Sequence, residues 1–166
     1  VGTGILEVGF RGVLDSVPEI LRHFNAAVSS GGVAGTTTLL DYTLIGGLLR
    51  KNDSIRIWSF WSCDNTANTK NATFSFGGNV FLSNNLSNES SFNAVTIIHN
   101  NNSVTAQKAH SKFPQNGISF QEESSAIQVF AVDTTADVNI VLSANGMTAT
   151  ENLILESCTI ELVRGT

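Results

Sequence analysis

Leu153-Ile154-Leu155-Glu156-Ser157-Cys158-Thr159-Ile160-Glu161-Leu162-Val163 settles the architecture, because Cys158, Ile160 and Leu162 alternate with Thr159 and Glu161. Successive side chains of a strand point to opposite faces, so this run has one apolar and one polar face. Val138, Ile140 and Leu142 repeat the pattern just upstream. A strand with one buried and one wetted face belongs to an antiparallel sandwich, not to a parallel sheet covered on both sides.

The same period of two recurs in Thr36–Ile45, Ser54–Cys63, Ala72–Phe76, Val80–Ser83, Phe92–His99, Val104–His110 and Ala126–Val132. Between these runs stand Lys51-Asn52-Asp53, Gly77-Gly78-Asn79, Asn100-Asn101-Asn102 and Asn145-Gly146, residues that tolerate the positive φ of tight turns. Many short strands at this spacing predict a mainly β chain built as an antiparallel, jelly-roll-like β-sandwich over residues 36–166.

Residues 1–35 read differently. Leu6, Val8 and Phe10 alternate with Glu7, Gly9 and Arg11, which predicts a short N-terminal strand. Ser16-Val17-Pro18-Glu19 has the form of a capping box with Pro in the first turn, and Val17, Ile20, Leu21, Phe24 and Val28 follow at helical spacing. One amphipathic helix over 16–28 is expected, closed by Ser29-Ser30-Gly31-Gly32, with Gly35 completing a flexible hinge. These residues form an N-terminal attachment arm, and the apolar stripe makes Val17, Ile20, Leu21, Phe24 and Val28 interface candidates. A helix this short does not persist alone in water, so it must dock on something.

One strand breaks the alternation. In Ile55-Arg56-Ile57-Trp58-Ser59-Phe60-Trp61-Ser62-Cys63 both faces carry large apolar groups, so a simple sandwich leaves either Trp58 and Phe60, or Ile57 and Trp61, facing water. Trp58, Phe60 and Trp61 are therefore interface candidates too. Their cover is either a partner surface or another segment of the same chain.

Composition narrows the function classes. The 166 residues suit one domain, or one domain with a short arm. Only 14% are charged, against roughly 25% in a typical soluble domain, so the polar surface comes mostly from Asn, Ser and Thr. A net charge of -5 with nine scattered Lys and Arg argues against nucleic acid as a partner. No apolar run approaches the roughly 18 residues of a membrane span. No basic-then-apolar leader is visible from Val1 onward. Sequons such as Asn52-Asp53-Ser54 and Asn71-Ala72-Thr73 are expected by chance in so Asn-rich a chain.

Site chemistry is sparse. His23, His99 and His110 are too far apart in sequence to aim two imidazoles at one metal from a shared element. Glu122-Glu123 is the adjacent acidic pair, and adjacent strand residues point apart. Asp133 and Asp137 flank Thr134-Thr135-Ala136 but supply too few oxygens for a dedicated calcium site. The chain lacks a Gly-x-Ser-x-Gly elbow, a phosphate-cradling loop with Lys and a dinucleotide fingerprint. The expectation is no enzyme, no cofactor and no metal. Cys63 and Cys158 each sit in an apolar strand-like run, open to a long-range disulfide or to two buried thiols.

The run Thr36–Ile45, the segment Leu49-Arg50-Lys51-Asn52-Asp53-Ser54-Ile55-Arg56-Ile57, the loop Asn65-Thr66-Ala67-Asn68-Thr69-Lys70-Asn71 leading to Phe74-Ser75-Phe76-Gly77-Gly78, and the strand Leu155–Val163 together resemble small β-sandwich modules of tailed-bacteriophage virions. Those modules occur in tail fibres, tailspikes and head-decoration proteins, and the resemblance covers Thr36 to Gly165. It implies a homotrimer without enzymatic activity, a tail-fibre-type appendage or a capsid-decorating cement protein, joined to other virion proteins by its N-terminal arm and acting in assembly, stabilisation or host attachment. It places the protein in the virion, assembled in the host cytoplasm, where Cys63 and Cys158 stay unlinked. Two alternatives stand beside it: a carbohydrate-binding, lectin-like adhesin module with a host-surface glycan as partner, and a secreted trimeric ligand of the C1q or tumour-necrosis-factor type.

Overall fold

The alternating run at the end of the chain becomes an inner strand. The computed structural model describes residues 17–86, 88–112, 127–148 and 150–165. In it Leu153–Val163 (β11) pairs on one side with Ser54–Cys63 (β4) and on the other with Glu19–Phe24 (β1) and the short Val28–Ser29 (β2). Ser91–Asn100 (β7), Gln107–Lys112 (β8) and Gln128–Phe130 (β9) extend this seven-stranded sheet in the order β1-β11-β4-β7-β8-β9, with β2 also on β11. The second sheet runs Gly35–Leu44 (β3), Val138–Met147 (β10), Lys70–Phe76 (β5) and Asn79–Leu86 (β6). All these pairings are antiparallel.

The chain changes sheet between β2 and β3, β3 and β4, β4 and β5, β6 and β7, β9 and β10, and β10 and β11. With β1 and β2 taken as one interrupted edge, β1/β2-β11-β4-β7 faces β3-β10-β5-β6, which is jelly-roll connectivity. β8 and β9 are added beyond β7. Between the sheets lie Ile55, Ile57 and Trp61 of β4, Phe74 and Phe76 of β5, Ile140 and Leu142 of β10, and Leu155, Cys158, Ile160 and Leu162 of β11. Trp61 stacks on Phe92 with ring centroids 5.5 Å apart and tilts against Phe74 at 5.7 Å.

A bulge explains why Leu155 and Cys158, three residues apart, both point inward. Leu155 pairs with Trp61 and Ser157 with Phe60, so Glu156 is the extra residue.

The expected helix over 16–28 is absent. Residues 19–24 and 28–29 are edge strands hydrogen-bonded to β11. The reason is again a bulge, between Ile20 and Arg22, which lets Leu21 and Phe24 both pack against the core and so imitates helical spacing. An isolated helix of that length is unstable, whereas the edge of β11 offers a full row of backbone partners. The fold is therefore mainly β with no helix among the described residues. The short strand expected around Leu6–Phe10 lies outside the described residues.

The Gly-rich stretch also differs from a flexible hinge. Gly31 and Gly32 adopt φ of +69° and +65°, and buried Ser30 exchanges hydrogen bonds with Leu153, its N–H donating to the carbonyl at 3.0 Å and its hydroxyl accepting from Leu153 N–H at 3.0 Å. Thr150 N–H donates to the Gly32 carbonyl at 3.0 Å. This is a tied turn.

The Asn-rich loop after β4 is held by a buried ion pair. Lys70 is 0% exposed, 3.6 Å from the Glu151 carboxylate, and donates to the Thr66 and Asn68 carbonyls. Hydrogen bonds from the Thr66 hydroxyl and the Asn68 amide, both 2.7 Å, hold the Glu151 carboxyl below its ordinary range. Cys63 and Cys158 are free and buried. Leu153 faces Cys63, so Cys158 lies five residues further along β11, about 17 Å of strand, too far for a bridge. Burial pushes the two thiols up to about 11 and about 12, which leaves them unreactive at neutral pH.

Candidate interaction surface

The outward face of the seven-stranded sheet carries what the core does not use. Because β4 is a middle strand, the side chains that alternate with Ile55, Ile57, Ser59 and Trp61 project from the centre of this face. They are Arg56, Trp58, Phe60 and Ser62. Trp58 is 39% exposed and Phe60 is 52% exposed.

Pairing register arranges this face in rows across the strands. One row runs Ile20, Glu161, Arg56, Ile97 and His110 from β1 to β8. The next runs His23, Thr159, Trp58, Val95 and Lys112. Ser157, Phe60 and Asn93 follow on one side, and Val163, Ser54, His99, Lys108 and Val129 lie on the other. Trp58, Phe60, Val95 and Ile97 thus form an apolar centre with polar groups around it.

The polar groups are partly fixed. Glu161 Oε2 accepts from Arg56 NH1 at 3.4 Å and from the Trp58 indole N–H at 3.3 Å, which orients the ring. The His23 Nδ1 and the Thr159 hydroxyl are 2.8 Å apart. His99 Nδ1 lies 2.6 Å from the Ser54 hydroxyl, and partial burial lowers its pKa from the ordinary imidazole value. Ser62 donates to Glu156 beside Phe60.

The sequence-selected residues divide between this face and the interior. Trp58 and Phe60 lie on it together, and Ile20, 62% exposed, extends it at the β1 edge. Val17 is also exposed. Leu21, Phe24 and Val28 pack against their own core, and Trp61 is 2% exposed inside it. Val95, Ile97, Thr159 and Glu161 were missed. The signal for Val95 and Ile97 was present in Phe92-Asn93-Ala94-Val95-Thr96-Ile97-Ile98-His99, where apolar residues occupy both phases of a strand as they do in β4; Thr159 and Glu161 join the face only through the pairing of β11 with β4.

Chemistry of other kinds does not converge. Among the described residues no group of three or more His, Cys, Asp and Glu side chains comes together for a metal. Asp133 accepts from the Thr135 amide and hydroxyl, and Asp137 accepts from the Gly46 amide at 2.8 Å, so both carboxylates serve turns. Glu122-Glu123 lies outside the described residues. Among the described residues no helix is long and apolar enough to cross a membrane.

No family model matches the chain, and no curated protein matches it. Similar solved structures include dimeric latent PorU from Porphyromonas gingivalis, at 10% identity and TM-score 0.46 over 89% of this chain, which spans 13% of that protein. A basic winged bean lectin with Tn-antigen has 10% identity and TM-score 0.37, covering 78% of this chain and 80% of the lectin. A structure of infectious bursal disease virus, Gx strain, has 10% identity and TM-score 0.31, covering 90% of this chain and 41% of that one.

Proposed function

We propose that this chain is a non-enzymatic structural subunit of a tailed-phage virion that associates as a homotrimer through the outer face of its seven-stranded sheet. The observation that carries the association is the exposure of Trp58 and Phe60 side by side at the centre of that face, flanked by Val95 and Ile97. Contiguous exposed apolar groups with a polar rim mark association sites, and large aromatics are their usual energetic anchors. Glu161 pairs with Arg56, so the charges next to the Trp58 ring are already compensated within the subunit. Three-fold association, the virion setting, and a role as tail-fibre-type appendage or capsid-decorating protein come from the resemblance of residues 36–165 to phage modules.

A second reading has its own observation. The Trp58 ring lies among Glu161, Thr159 and His23, an apolar surface beside hydrogen-bonding groups, which is also the chemistry of a sugar platform in a lectin-like adhesin.

Native mass spectrometry and light scattering at micromolar concentration test the assembly. A trimer is expected, and the double substitution Trp58→Ser with Phe60→Ser should lower the assembly state while the circular dichroism stays that of a folded β protein. A monomer at all concentrations sinks this reading. Glycan-array binding by that monomer, lost in Trp58→Ala, transfers the face to the lectin reading.

A further inference from the structure

We infer that Glu161 is the positioning residue of this face: its carboxylate holds the Trp58 ring, before any partner arrives, in the orientation used for association; this rests on the self-association reading above. Trp58 and Glu161 stand 103 residues apart in the chain. The antiparallel pairing of β4 with β11 sets Arg56 opposite Glu161 and Trp58 opposite Thr159, so all four side chains share the outward face. Glu161 is therefore diagonal to Trp58, a separation that long side chains and aromatic rings span.

The contacts close that diagonal. Glu161 Oε2 accepts from the Trp58 indole N–H at 3.3 Å and from the Arg56 guanidinium at 3.4 Å. The Glu161 side chain is only 19% exposed, so the bonds it accepts are partly shielded from water. Arg56 in turn fixes the carboxylate on which the ring leans. On the other side of Trp58 stands Thr159, its hydroxyl 2.8 Å from His23 Nδ1. Two tied side chains of β11 thus frame the indole, and Glu161 takes its N–H.

Two physical gains follow for association. An exposed side chain samples several rotamers, and freezing them at an interface weakens binding by a factor of about two to about ten. A ring held in advance avoids that loss. The second gain concerns the donor: an indole N–H that enters a contact gives up its water, and a donor left without an acceptor opposes burial. Glu161 supplies the acceptor from within the subunit, so Trp58 arrives with its one polar group satisfied. Phe60, two residues along β4, has no polar atom by which the fold could orient it. Of the two central aromatics, Trp58 is the one that the subunit itself presets.

The test is a double-mutant cycle on the whole chain, with association measured by sedimentation velocity and folding checked by far-ultraviolet circular dichroism. Glu161→Ala removes the acceptor, Glu161→Gln removes the same charge but keeps a side-chain carbonyl, and Trp58→Phe keeps a ring without the N–H. Glu161→Ala should weaken association about ten-fold, Glu161→Gln should stay within about three-fold of wild type, and Glu161→Ala should add little in a Trp58→Phe background. In the dissociated subunit, nanosecond anisotropy of the indole emission should gain a fast component in Glu161→Ala and not in Glu161→Gln, with core-buried Trp61 as a constant background. Should Glu161→Ala fail to fold, Glu161→Thr replaces it, a better strand former whose hydroxyl stops two carbons short of the carboxylate. Association as tight in Glu161→Ala as in wild type, or weakened equally with Phe at position 58, overturns the inference and leaves the association reading standing. Glu161→Gln as weak as Glu161→Ala assigns the effect to the charge on Arg56 and overturns it too. A wild type that is monomeric at every concentration overturns the association reading, and the inference with it.

Discussion

Trp58 and Trp61 stand three residues apart in one strand and do opposite things, because an odd spacing puts them on opposite faces. Trp61→Ala removes a ring stacked on Phe92 within the core and should cost about 3–5 kcal/mol of folding stability in urea titration. Trp58→Ala should change the stability of the isolated subunit by less than about 1 kcal/mol and act on the assembly state instead. A second residue effect is titratable. Burial of Asp53 would by itself raise its carboxyl, but hydrogen bonds from the Gly165 amide, the Arg164 guanidinium and the Arg50 amide outweigh it and hold the group below the ordinary carboxylate value. A folded-state pKa that is lowered contributes stability above the unfolded value and loses it as pH falls through the folded one. Urea midpoints should therefore drop below about pH 4, and Asp53→Asn should be less stable at neutral pH with a flatter acid limb. Equal slopes in the two proteins would show that the Asp53 anchor of the C-terminal segment carries no pH dependence.

Ser54–Cys63 and Leu153–Val163 have in the fold the bounds read from sequence, the first although apolar groups occupy both of its faces and the second although a bulge at Glu156 interrupts its period. The errors fall at a turn before β8 and at the bulged edge strand β1. The strand expected from Val104 begins at Gln107, because Asn101 N–H bonds the Ala106 carbonyl across a turn in which Asn102 takes φ of 57°. The helix expected at 16–28 is the larger error, since a bulged strand and a short helix share the spacing of Leu21 and Phe24. That correction changes what truncation should do. Deleting residues 1–33 strips β1 and β2 from the edge of β11, removes Leu21, Phe24 and Val28 from the core, and leaves Leu153 without the partner hydroxyl of Ser30. The truncated chain should melt at lower temperature and bind a hydrophobic dye. Retention of the full-length melting temperature would show that this edge contributes no stability.

For the molecule as a whole, the seven-stranded sheet presents one face to the core and the other to whatever covers Trp58 and Phe60. If that cover is another copy of the chain, folding and association are linked, and the thermal midpoint should rise with protein concentration. A midpoint that stays constant over a hundred-fold dilution series, about two decades around the association constant, would place the cover elsewhere.

The amino-acid sequence by itself determined that the chain is built of strands with one apolar side, where most of those strands run, and that β4 has apolar groups to spare, because period and side-chain polarity are local properties. It also left a charge-poor surface without a convergent catalytic motif. Only the tertiary structure decided which strands are neighbours, since alternation says which side chains point inward and nothing about pairing. It decided that residues 19–24 and 28–29 are sheet, since backbone hydrogen bonds to β11 outweigh a marginal helix. It also decided that Trp58 and Phe60, and not Ile57 and Trp61, face outward, since one phase of β4 had to fill the core against the second sheet. The gathering of His23, His99 and His110 on that outward face follows from strand order, which no local pattern encodes.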